Sequence, residues 1–273
     1  MRNRRLRAAG SATNVYASIR LTQEKLMKDR INQRRRDVLK AAGACAVTLA
    51  FGTLPFATRA DAPDSKLKIG VIGSGRVGGT LGSVWAKAGH PVMFSSLDLE
   101  ADKKLAASVG SNARAGSTRE AAQFGDVLLV SVPYTALPAL GRDLGDILKG
   151  KIVIDTSNPI VARDGDMAVS AREKGAGISS QEFLPGARIV RAFNAIGYSR
   201  MGEAHKDKGK VGMPIAGDDQ KAIETASALI REIGYEPVLV GSLASMGKFL
   251  IPGTPLGGEH SPAEIKQIAS TLK

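Results

Sequence analysis

Between an apolar run at residues 67–72 and a helical pattern at 81–88, the chain reads Gly73-Ser74-Gly75-Arg76-Val77-Gly78-Gly79. Gly-x-Gly-x-x-Gly at a strand-to-helix turn is the fingerprint of a dinucleotide site, and few folds accommodate it. The first glycine permits the tight turn, and the second lets the backbone approach a pyrophosphate. The third lets the helix pack close to the strand, while the helix N-terminus offers unpaired N–H groups and a partial positive charge. The candidate cofactor-binding residues here are Gly73, Ser74, Gly75, Arg76, Val77 and Gly78. Among 31 glycines a bare match arises by chance. The strand before it and the helix after it separate this run from a plain Gly-rich turn.

Strand and helix signals alternate along the chain, which predicts an α/β fold. The expected architecture is a doubly wound parallel sheet, the Rossmann NAD(P)-binding fold, with a small C-terminal extension. Strands are expected at 67–72, 91–95, 112–115, 126–132, 151–156, 187–193, 211–216 and 236–240. Helices are expected at 81–88, 99–109, 134–148, 219–233 and 262–272. Ser117, followed three residues later by Glu120, reads as an N-cap with a capping box. The run 126–132 is continuously apolar, as in a strand buried on both faces. A Gly/Pro-rich stretch covers 247–258. The domain boundaries read as a leader at 1–60, a dinucleotide-binding domain at 66–195 and an extension with its tail at 196–273.

Charge locates the leader. The formal net charge is +12, yet the first 60 residues hold 13 Lys/Arg against 3 Asp/Glu. The rest of the chain, 25 against 23, is nearly neutral. A nucleic-acid surface needs its positive charge on the folded domain, so no nucleic-acid partner is expected. Arg34-Arg35-Arg36-Asp37-Val38-Leu39-Lys40 resembles a twin-arginine export motif, with Arg35 and Arg36 as the pair. An uncharged stretch, 41–58, follows, and cleavage is expected after Ala60. The expected destination is the periplasm or the outside, through the twin-arginine export machinery. Gly52 and Pro55 interrupt an apolar run already short for a membrane anchor. Cys45 lies too early in that run for a lipoprotein signal. Met27 would give a leader of ordinary length and is the expected start. Cys45 is the chain's one cysteine, so the mature part carries no disulfide or cysteine metal site.

An acidic residue at the end of the second strand holds a ribose 2′-hydroxyl and repels a 2′-phosphate. Here that segment is Phe94-Ser95-Ser96-Leu97-Asp98. Ser95 and Ser96 are expected to hydrogen-bond a 2′-phosphate and Arg76 to pair with it, favouring NADP over NAD. The alternative makes the serines a helix cap and Arg76 a solvated charge. His90, His205 and His260 stand in no triad or metal spacing, so no metal site is expected. His90 reads as a helix cap.

Further segments carry a resemblance: Lys68–Gly78 as a block, Ala88-Gly89-His90, Ser131-Val132-Pro133-Tyr134, Ile154-Asp155-Thr156-Ser157-Asn158-Pro159 and Arg191-Ala192-Phe193-Asn194. Together with Pro214-Ile215-Ala216-Gly217-Asp218-Asp219 and Val240-Gly241-Ser242-Leu243, they resemble the NADPH-dependent coenzyme F-420 reductases over residues 66–250. That superfamily also includes the reductase domains of mammalian metalloreductases. The resemblance implies that the glycine loop holds the pyrophosphate and that Val132 and Pro133 lie beside the nicotinamide ribose. It implies that Asn158, Pro159 and Asn194 border the nicotinamide and the acceptor ring, with Tyr134 and Asn194 as catalytic candidates. Tyr134 reads equally as a helix-start residue packing on the core, and Asn194 as a loop cap. The family's second-strand motif is Ser-Arg. Ser96 matches it, but Leu97 replaces the arginine, which weakens the NADP assignment unless Arg76 compensates. The family pairs through its C-terminal part, which implies a homodimer.

The leading expectation is an NADP(H)-dependent oxidoreductase that passes hydride to a small-molecule acceptor, flavin-like or deazaflavin. The alternatives are a non-catalytic dinucleotide-binding sensor or scaffold, and an imine reductase related to pyrroline-5-carboxylate reductase. The latter normally carries a helical C-terminal dimerisation domain, and about 30 residues after the last strand are too few for one. Twin-arginine export carries folded proteins, so the glycine loop is expected to close over its dinucleotide before export and to retain it.

Overall fold

The computed structural model describes residues 66–272. The leader, its arginine pair, Cys45 and the expected start at Met27 lie outside the described residues.

The first half runs β1 (Ile69–Ile72), α1 (Arg76–Lys87), β2 (Val92–Ser95), α2 (Leu99–Val109), β3 (Ala113–Ala115), α3 (Thr118–Phe124) and β4 (Val127–Val130). A 3-10 turn (Tyr134–Ala136) then leads into α4 (Leu137–Leu148), β5 (Ile152–Asp155), α5 (Val161–Lys174), α6 (Ala176–Phe183) and β6 (Arg188–Arg191). The second part holds α7 (Tyr198–Met201), β7 (Gly212–Gly217), α8 (Gln220–Glu232), β8 (Glu236–Gly241), α9 (Leu243–Met246) and α10 (Pro262–Thr271). The capping box at Ser117 and Glu120 forms at the start of α3.

These strands make one sheet in the order β3-β2-β1-β4-β5-β6-β7-β8. Strand pairs are parallel except β6 with β7, which is antiparallel. The expected doubly wound parallel sheet is thus observed, with one antiparallel pair where the C-terminal extension joins it. β7 enters from the far side, then α8 returns the chain so that β8 lies parallel to β7.

Strand alternation builds the core on both faces. Ile69, Val71, Val127, Leu129, Ile152 and Ile154 face one layer, with Trp85 and Phe94 packed into it. Ile72, Leu128, Val130 and Val153 face the other, against Leu137, Leu140 and Leu144 of α4. This two-sided burial explains why β1, β4 and β5 read as continuous apolar runs. Trp85 satisfies its indole N–H on the Leu229 carbonyl at 2.9 Å, as a buried tryptophan must. A third cluster, including Ala216, Val238, Leu250 and Ile265, packs around β7, β8 and α10.

Candidate active site

The strand order reverses between β1 and β4, and a doubly wound sheet opens a crevice at the carboxyl ends of its strands there. Gly73 turns the chain out of β1 with φ +92°. A Cβ at Gly73 would lie 2.2 Å from the Ser131 carbonyl oxygen, so β4's exit and the loop exclude any side chain. A Cβ at Gly78 would lie 2.0 Å from the Gly73 carbonyl oxygen, which seats α1 against the loop. Gly75, the N-cap of α1, has no side-chain partner and open space where a Cβ would stand. The first turn of α1 carries no acidic residue. A tight turn, a bare helix N-terminus and open space in front of it form a cradle for a pyrophosphate.

A cavity of about 760 Å³ opens beside this loop. Gly73, Gly75, Ser96, Val132 and Pro133 of the candidates line it, with Leu97, Arg119 and Leu140. This size lies within the range of small-molecule sites, and its walls are the tip of β2, the exit of β4 and one face of α4. Leu97 is fully exposed at the β2 tip.

One candidate on the adenosine side is corrected. Ser95 is completely buried and donates to the Val71 carbonyl at 2.7 Å, so no proton remains for a phosphate. Strand register decides this: Ser95 points into the sheet and Ser96 into the cavity. Arg76 is exposed at the start of α1, its guanidinium stacked 5.4 Å from the centre of the Tyr198 ring. Ser74 and Ser96 remain at the crevice, joined through Asp102 of α2.

The other candidates belong to a buried polar network at the ends of β5 and β6. Asp155 and Arg191 pair at 2.7 Å with both side chains inaccessible. Arg191 also donates to the Ser157 and Leu250 carbonyls, each at 3.1 Å. Asp155 accepts the Ser157 N–H at 2.8 Å and the Ser180 hydroxyl at 2.8 Å. Asn158 donates to the Asn194 carbonyl at 2.7 Å, stitching the two loops together. Pro159 is buried, and its carbonyl accepts from Arg172 at 2.9 Å. Phe193, between β6 and Asn194, holds φ +64°, a left-handed conformation unusual for a bulky residue. Buried strain of this kind concentrates at functional sites. Among the protein atoms, Ser157 Oγ, Arg191 Nε and Asn194 Oδ1 have no hydrogen-bond partner. Asn194 is thus a buried loop residue with one acceptor left open.

Tyr134 is corrected as a catalytic candidate. Its hydroxyl donates to the Ala176 carbonyl at 2.8 Å and meets Ser180 at 3.2 Å. Its ring packs edge-on against Phe183 at 6.0 Å. Burial pushes the phenol up to about 12, so it neither faces the cavity nor gives up its proton. The packing alternative for Tyr134 is the one observed.

His90 caps the C-terminus of α1 through its backbone: its N–H donates to the Trp85 carbonyl at 3.1 Å, beside Gly89 N–H on the Ala86 carbonyl at 3.1 Å. The His90 side chain is buried before β2, with Nδ1 against the Leu67 carbonyl at 2.9 Å and Nε2 against Glu232 at 2.7 Å. Asp155 carried one readable signal, a charge closing the otherwise apolar strand β5.

A family model for coenzyme F420-dependent NADP oxidoreductases matches residues 68–159, from β1 through Pro159. An F420-dependent NADP reductase of Methanothermobacter marburgensis is 30% identical over 196 residues, 65% of this chain and 85% of that protein. The rat metalloreductase STEAP3 is 30% identical over 189 residues, 68% of this chain. The match spans only 36% of that longer protein. A solved hypothetical protein of Sinorhizobium meliloti superposes with a TM-score of 0.61 at 26% identity, covering 70% of this chain and 93% of that one.

Proposed function

The chain belongs to the family of coenzyme F420-dependent NADP oxidoreductases, and on that premise we propose that it carries hydride between NADP(H) and a flavin-like or deazaflavin acceptor. The observation that carries the reading is the loop at Gly73 and Gly78, where side chains are excluded at 2.2 and 2.0 Å beside an open helix N-terminus. When bound, the nicotinamide supplies or accepts the hydride. The N–H groups from Gly75 to Val77 hold the pyrophosphate, and Val132 and Pro133 wall the cavity. The Ser157–Asn158–Pro159 loop and Asn194 border the nicotinamide end. Transfer between flat rings needs alignment at about 3–3.5 Å and exclusion of water more than proton transfer. The buried Asp155–Arg191 pair supports this by fixing both loops at the strand ends.

Anaerobic NADPH oxidation with coenzyme F420, and separately with FMN, tests the proposal. Stoichiometric loss of NADPH and reduction of the acceptor is expected. A protein that binds NADPH but oxidises it with no acceptor acts instead as a dinucleotide-binding sensor or scaffold. For the leader we propose twin-arginine export to the periplasm. A mature N-terminus near residue 61 in the exported fraction is the expected result.

A further inference from the structure

Asp102 lies in the first turns of α2 and is almost completely buried. Its carboxylate accepts hydrogen bonds from two serines that come from different parts of the crevice. One oxygen takes the Ser74 hydroxyl of the glycine loop. The other takes the Ser96 hydroxyl, at the β2 tip, at 2.9 Å.

A hydroxyl has one proton, and this fixes what each serine can offer a ligand. Ser96 has two acceptors for its proton, the Asp98 carbonyl at 3.3 Å and the Asp102 carboxylate at 2.9 Å, and the shorter, charged contact takes it, while its oxygen accepts the Asp98 N–H at 3.1 Å. What it presents to the cavity is its remaining lone pair. A lone pair at the end of the second strand suits the 2′-hydroxyl of an unphosphorylated ribose, which has a proton to donate. A 2′-phosphate dianion has none, and it also meets the Asp102 charge behind the serine. Leu97, exposed beside Ser96, brings no compensating cation, and Arg76 stacks on the Tyr198 ring outside the cavity lining. Arg119, which also lines the cavity, is held by Asp146 at 2.9 and 3.2 Å and by the Asp143 carbonyl at 2.6 Å.

We infer that Asp102 is a specificity-determining residue: by holding the protons of Ser74 and Ser96, it makes the 2′-subsite accept an unphosphorylated ribose, so that this chain takes NAD(H) alongside NADP(H). The inference rests on the dinucleotide reading above. It assigns Asp102 no part in hydride transfer.

The test measures binding rather than turnover, with ADP-ribose and 2′-phospho-ADP-ribose as probes in calorimetric titrations of the protein. Asp102→Asn keeps the shape, removes the charge and frees a serine proton. The affinity ratio of the phosphorylated over the unphosphorylated probe is expected to rise about tenfold, the scale of one lost like-charge contact. A rise of less than threefold overturns the inference. Because a buried substitution can impair folding, Ser96→Ala gives an independent reading. It is expected to weaken ADP-ribose severalfold and to leave 2′-phospho-ADP-ribose unchanged. If it weakens the phosphorylated probe more, Ser96 donates to the phosphate and the inference fails. If neither probe binds the unaltered protein, the dinucleotide reading itself falls, and this inference with it.

Discussion

Tyr134 and Arg191 share a hydrogen-bond partner, the Ser180 hydroxyl, and yet they do different work. Tyr134 packs and satisfies a carbonyl. Tyr134→Phe is therefore expected to cost roughly 1–2 kcal/mol in urea denaturation while turnover stays within about twofold. A loss of turnover beyond tenfold in a folded variant would return the phenol to the catalytic list. Arg191 neutralises a carboxylate that water does not reach. Arg191→Met leaves Asp155 buried and uncompensated, a loss on the order of 3–5 kcal/mol. Adding Asp155→Asn to that variant is expected to restore part of the loss. Strictly additive effects in the double-mutant cycle would show that the two side chains are not coupled. None of these distinctions is visible at the residues themselves, because a tyrosine after a Val-Pro turn reads the same whether it faces a cavity or a core.

Elements were legible where their signal is local. The capping box at Ser117 and Glu120 lies within four residues, and the apolar runs of β1, β4 and β5 announce strands covered on both sides. α5 and α6 escaped, since 161–183 is rich in Ala, Gly and charge with little apolar periodicity, and Gly165 breaks α5 with φ +56°. The short α7 and α9 left too few residues for any period to show. One contact between elements carries a pH signature. Glu232, at the end of α8, meets Lys66 ahead of β1 at 3.0 Å and His90 ahead of β2 at 2.7 Å. Partial burial pushes its carboxyl up, but the hydrogen bonds from His90 and Lys66 outweigh that and hold it below the usual carboxylate range. Because the folded state has the lower value, this stabilisation is complete above the unfolded value of about 4.3 and fades as pH falls through the folded one. Melting curves from pH 7 to 3 should show Glu232→Gln less stable than the parent at neutral pH, with the gap closing below about pH 4. A gap that stays constant to pH 3 would mean that the contact does not depend on this charge.

At the scale of the molecule, the glycine-loop cradle and the C-terminal packing around α10 lie on different strands of one sheet. Ile265 of α10 is fully buried and sits over Gly212 at the start of β7, within the third core cluster. Ile265→Ala is expected to cost about 2–5 kcal/mol of stability. The dissociation constant for NADPH should stay unchanged, because the cradle lies on other strands. A parallel loss of binding would show that the extension supports the site. By itself the sequence determined the alternation of strands and helices, the position of the glycine loop and the two-sided burial of the central strands. Each of these follows from local spacing, period and steric need. Only the tertiary structure decided that β7 runs against β6, that Ser95 turns inward while Ser96 turns out, and that Tyr134 belongs to the core. It alone brought Asp102 to Ser74 and Ser96, and Arg191 to Asp155. Those outcomes depend on which distant groups a side chain meets once water is excluded, and the free energy of a buried proton or charge is set by those neighbours rather than by its place in the chain.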